Sequence, residues 1–136
     1  MSKSRFRLQQ QKLQARLFEK LHGRKIDARK FIAAFMNSKV AEGLDSVYDR
    51  SQWMGEYLIE QVIDEAQLPK SESVCRINPE VLFYAGWITR YWHYLTGESS
   101  KEIYRQCNED QLLASYGLHI EANDLAVEDL KALARR

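Results

Sequence analysis

The stretch NPEVLFYAGWITRYWHYL, residues 78–95, decides the fold. Asn78 can cap a helix, Pro79 suits the first helical position where no N–H is needed, Glu80 complements the positive end of the helix dipole, and Gly97 supplies a stop. Leu82, Ala85, Gly86, Ile88 or Thr89, Trp92 and Leu95 recur at three- and four-residue steps. Phe83, Trp87, Tyr91 and Tyr94 line a neighbouring stripe, so apolar surface runs most of the way round. A helix of this kind needs neighbours on several sides, and the spacing therefore predicts a central helix inside an all-α bundle.

Working outward, the other segments supply those neighbours. Residues 27–43 read as a helix capped by Asp27, with Phe31, Ile32, Phe35, Met36 and Val40 as its buried stripe. Leu44 to Arg50 reads as a connection. A helix from Ser51 to about Gln67 would bury Trp53, Met54, Tyr57, Leu58, Val62 and Ile63, leaving Glu56, Glu60, Asp64 and Glu65 on a solvated face. Leu68 to Val74 is a surface loop. After Gly97, Ser99 and Glu102 form a capping box ahead of Ile103 and Tyr104; Asn108 opens a helix with Leu112, Leu113 and Tyr116, ended by Gly117. Asn123 or Asp124 caps a last helix through Leu125, Val127, Leu130 and Leu133, finished by Arg135 and Arg136. The expectation is a compact bundle of about six to seven helices, without strands, repeats or low-complexity tracts.

The N-terminal segment differs from the rest. Residues 4–22 form a helical pattern with Leu13, Leu17 and Leu21 at four-residue steps, extended less regularly by Phe6 and Leu8, and Gly23 ends it. The stripe is thin, and Gln9, Gln10, Gln11 and Gln14 are expected to bury little, so this helix should project, pack along one edge or order on a partner. Residues 1–26 are accordingly read as a basic arm, and 27–136 as a single helical domain. Through Lys30 the chain carries Lys3, Arg5, Arg7, Lys12, Arg16, Lys20, Arg24, Lys25, Arg29 and Lys30 against Glu19 and Asp27, so a formal net charge of +1 conceals a basic end and an acidic body. Arg5, Arg7, Lys12, Arg16, Lys20, Arg24 and Lys25 are the candidate contacts for a nucleic acid or an acidic protein surface. The plain alternative is a solvated amphipathic helix in a monomer or homodimer.

Composition excludes several classes. A chain of 136 residues can bury a core without disulfides or metal. No apolar run approaches the roughly 20 residues of a membrane span, and no apolar segment of a secretory signal follows the basic start, so the expectation is a cytoplasmic protein with no membrane contact. Cys75 and Cys107 lack the spacing of a zinc site. His119-Ile120-Glu121 has the local form of a deaminase ligand and acid, but no Pro-Cys-x-x-Cys follows. There is no phosphate-cradling glycine loop and no nucleophile elbow. Cys107 with His93 or His119 is the one conceivable nucleophile and base pair, and it needs a polar pocket around them. We therefore expect no catalytic residues, no cofactor and no metal. Tyr91, Trp92, His93, Tyr116 and His119 form a candidate aromatic and histidine cluster: a binding hot spot if exposed, or a hydrogen-bonded histidine orienting the C-terminal helices if buried.

The run Tyr91-Trp92-His93-Tyr94-Leu95-Thr96-Gly97-Glu98-Ser99-Ser100-Lys101-Glu102-Ile103-Tyr104, with Tyr116-Gly117-Leu118-His119 and Val127-Glu128-Asp129-Leu130, resembles a family of small all-helical bacterial proteins of uncharacterised function. Phe35-Met36-Asn37-Ser38 and Leu44-Asp45-Ser46-Val47-Tyr48-Asp49 resemble the same proteins, so the likeness covers most of the chain after Lys30. Ile120-Glu121 stands where those proteins have Thr-Gln, and the basic leader is additional. Some similar proteins are encoded beside toxin genes, which implies an antitoxin-like protein that neutralises a toxin by stoichiometric binding. An inhibitor of a host-defence component, of phage or mobile-element origin, is a variant of that expectation. The alternative expectation is a regulatory nucleic-acid-binding protein that uses the basic arm.

Overall fold

A computed structural model describes residues 3–46, 55–116 and 123–134. Eight helices stand among them: α1 Lys3–Glu19, α2 Ala28–Met36, α3 Lys39–Asp45, α4 Gly55–Ala66, α5 Pro79–Thr96, α6 Ser100–Gln106, α7 Glu109–Ala114 and α8 Asn123–Ala134. The all-α expectation holds, with one helix more than the upper expected count. The addition comes from residues 27–43, which break at Asn37-Ser38. Asn37 turns its amide back to Ala33 O (2.8 Å), and Ser38 Oγ accepts from Ala41 N (3.1 Å) to cap α3 as a separate helix. The apolar stripe survives the break, since Phe31, Ile32, Phe35, Met36 and Val40 are all buried.

The central helix forms as its punctuation predicts. Asn78 Oδ1 accepts from Glu80 N (2.8 Å), Pro79 opens the helix, and Gly97 closes it in the left-handed region at φ 78°. Asp27, Ser99 and Asn108 likewise cap α2, α6 and α7, the last two with complete capping boxes. Two readings of which side faces inward are corrected. Leu95 is 46% exposed, because the buried stripe ends at Trp92. On α4 the inner face is Leu58, Ile59 and Val62, which turns Tyr57 outward at 54% exposure. Ser51, Trp53, Met54, Gly117, Arg135 and Arg136 lie outside the described residues.

The largest correction concerns α1. Its glutamines do not bury little: Gln10, Gln11 and Gln14 are buried beside Ala15, Leu17, Phe18 and Leu21, and Leu8 points outward. Helix α1 lies along α5 in the most extensive helix–helix contact among the described residues. Gly86 permits this approach, since a Cβ there would stand 2.5 Å from Gln14 O and 2.8 Å from the Ala15 Cα. Phe18 meets Phe31 and Phe35 edge-on at ring separations of 6.5 and 5.1 Å, so α1 shares one core with α2, α4 and α5.

Candidate nucleic-acid interface

Because α1 seats its glutamine and leucine side on α5, the opposite side is fixed at the surface. Arg5, Lys12, Arg16 and Lys20 are exposed there. Lys12, Arg16 and Lys20 follow at four-residue steps, about 6 Å apart along the axis. They line an open groove of about 320 Å³ between α1 and the start of α4, together with Gln9, Leu13 and Gly55. No acidic residue lines this groove, and the three cations form no ion pair among the described residues. Glu19 is the single acid of α1.

The remaining candidate cations are placed differently. Arg7 is exposed, with its guanidinium 5.2 Å from the centre of the Tyr94 ring, a cation–π contact. Arg24 is held by Glu56 at 2.6 Å and Glu60 at 3.4 Å. The hydrogen bond from Arg24 is the main reason the Glu56 carboxyl titrates below its ordinary value, with the charges of Arg24 and Lys20 adding to it. Lys25 is exposed in the turn after α1.

Among the described residues, Tyr91, Trp92, His93 and Tyr116 do not form one exposed surface. Trp92 is fully buried, and its Nε1 donates to Glu98 Oε1 at 3.2 Å. His93 is largely buried and bonds the Glu98 backbone carbonyl through Nδ1 at 2.7 Å, a partner in the α5–α6 link. Tyr91 is partly buried. Tyr116 sits at the other end of α5, its hydroxyl donating to Glu80 at 2.9 Å and its ring edge-on to Tyr84. His119 lies outside the described residues. Cys107 is buried, and desolvation pushes its thiol up to about 12, which disfavours the thiolate a nucleophile needs. Among the described residues no group of histidine, cysteine and acidic side chains could hold a metal, and no helix is long and apolar enough to cross a membrane.

One polar assembly escaped sequence reasoning. Arg90, 1% exposed, donates from Nε to Gln14 Oε1 (2.9 Å) and from Nη1 to Asp45 Oδ1 (2.9 Å). Gln14 Nε2 donates to Thr89 Oγ1 at 2.7 Å. Asp45 also accepts from the backbone N–H and the hydroxyl of Ser100, both at 2.8 Å. Burial draws the Arg90 pKa below its ordinary value, and the Asp45 carboxylate opposes that shift. Four helices, α1, α3, α5 and α6, are thereby locked in one register, and the exposed side of α1 is fixed with them. Neither the apolar period of residues 78–95 nor any local motif announces this network, because its partners are dispersed along the chain.

No protein family, curated protein or solved structure matches the chain.

Proposed function

We propose that this protein is a non-catalytic binding module that grips the phosphate backbone of a nucleic acid with the outer side of α1. The observation that carries this reading is the groove of Lys12, Arg16 and Lys20, exposed, free of acidic lining and backed by the buried Leu17, Phe18 and Leu21. On this side of α1 Arg5, Lys12, Arg16 and Lys20 outnumber the single exposed acid Glu19, an excess of positive charge that suits a polyanion. The groove lacks aromatic residues, so contact is with phosphates and is insensitive to sequence. Fluorescence anisotropy with labelled duplex DNA tests it. With Arg5 included, the logarithm of the binding constant should fall against that of salt with a slope of about −3 to −4, and the Lys12→Ala, Arg16→Ala, Lys20→Ala triple variant should reduce that slope by about 2.7. Absence of salt-sensitive binding would refute the reading.

A second reading keeps the antitoxin-like expectation: a stoichiometric protein partner with an acidic surface docks on the same side of α1. It is favoured by Leu8, 42% exposed on the stripe that bears Lys12, since an apolar anchor beside cations suits a protein interface. Pull-down from the native host with nuclease treatment separates the two. A stoichiometric partner that survives nuclease and is lost with Leu8→Ser would favour the protein.

A further inference from the structure

The basic surface does not stop at the end of α1. Lys20 reaches α4 at Gly55, where an added Cβ would stand 3.2 Å from the lysine Cε. Glu56 comes next, bonded to Arg24, and Glu60, one turn further along α4, reaches the second terminal nitrogen of the same guanidinium. Beyond these carboxylates lies a second depression of about 350 Å³, bordered by Arg24, Lys25, Glu60 and Lys70. Its two lysines are brought together by backbone pairing: Cys75 N donates to Arg24 O at 2.7 Å and Ser71 N to Lys25 O at 3.1 Å. Lys25 and Lys70 are exposed and form no ion pair among the described residues. The cations thus fall into two groups, with Arg24 between them engaged by two acids.

We infer that the nucleic-acid interface extends across both depressions, and that Glu56 and Glu60 act as a gate that a phosphate displaces from Arg24. This rests on the reading of α1 as a phosphate-binding surface and lengthens its footprint to the 24–26 turn and the 68–70 loop. Displacement is feasible because the Arg24 side chain is 30% exposed and its partners 52% and 59%, and ion pairs so open to solvent are weak and salt-screened. A guanidinium also accepts a phosphate as a two-point partner at least as well as it accepts a carboxylate. Until displaced, the two carboxylates repel the polyanion at the midpoint of its path, so they lower affinity for every anionic polymer.

The experiment is anisotropy with fluorescein-labelled duplex DNA of about 20 base pairs over about 50 to 200 mM salt. The longer footprint raises the expected parent slope from the −3 to −4 of α1 alone to about −5 to −6, and Lys25→Ala with Lys70→Ala should reduce it by about 1.8. Glu56→Gln with Glu60→Gln should bind about fivefold more tightly at the lowest salt, and less of that gain should remain at the highest, as screening weakens the repulsion that the carboxylates exert in the parent. All four positions are at the surface, and unchanged thermal melting of each variant shows that the fold is retained. If the α1 triple variant loses binding while both of these pairs behave as the parent, the extended footprint and the gate are wrong and the α1 reading stands. If the parent protein shows no salt-dependent binding, both fall together.

Discussion

Arg90 occupies a position where a cation is expensive to hold, fully enclosed between α1 and α3, and it is retained by directed hydrogen bonds to Gln14 and Asp45. Removing it would leave the largely buried Asp45 carboxylate with the donors of Ser100 and the His93 ring 3.7 Å away but no guanidinium, so Arg90→Ala should cost about 3–5 kcal/mol in urea unfolding. Arg90→Met combined with Asp45→Asn should recover part of that loss, because the uncompensated charge is gone. Glu98 makes a different prediction. Burial alone would raise its pKa, but donors from Lys131, Gln106 and Trp92 outweigh burial and hold the carboxyl at about 2, against an ordinary 4.5. A depressed folded-state value stabilises the protein above the unfolded value and ceases to do so as pH falls through the folded one. Stability should therefore decline between about pH 4.5 and pH 2 by about 1–3 kcal/mol from this group, with solvent screening setting the lower figure. Glu98→Gln should flatten that part of the pH–stability curve.

Most helix boundaries set by a single capping residue were legible; Ser38, which caps α3 in the same way, was not, because the apolar stripe runs on through the break. Asn78 with Pro79, Ser99 with Glu102, Asn108 and Asp27 each sit where a local rule puts them, because a cap is a contact between neighbours in sequence. What was not legible depends on distant partners. Nothing local tells that Gln14 will meet Thr89, 75 residues away, so polar glutamines on a thin stripe read as a solvated arm. Tyr57 and Ile59 are two residues apart, and only the position of neighbouring helices decides which faces inward. For the candidate site, the spacing of Lys12, Arg16 and Lys20 was visible in the chain, whereas the groove they share with Gly55 required the packed helices. At the α1–α5 contact, Gly86→Ala should destabilise by about 2–4 kcal/mol, since the added carbon meets backbone that cannot rotate away. Differential scanning calorimetry on the variant checks this, and a transition within a degree or two of the parent would contradict the close approach.

For the molecule as a whole, the burial of Leu17, Phe18 and Leu21 in the same cluster as Phe35, Leu58 and Trp92 means that the basic helix is part of the body it decorates. A chain reduced to residues 27–136 should lose near-ultraviolet circular dichroism and a cooperative melt, because the side of α5 that carries Gly86, Thr89 and Arg90 would be stripped of its cover. Charge reversal on the outer side of α1 should leave the melt nearly unchanged while altering any binding. The same seam also sets a timetable on the ribosome. At about 5–20 residues per second, the span from Gln14 to Thr89 takes about 4–15 s to synthesise, so the nascent first helix waits that long for its permanent neighbour. A wholly apolar surface left waiting invites aggregation, whereas Gln10, Gln11 and Gln14 keep part of this one hydrated until α5 emerges.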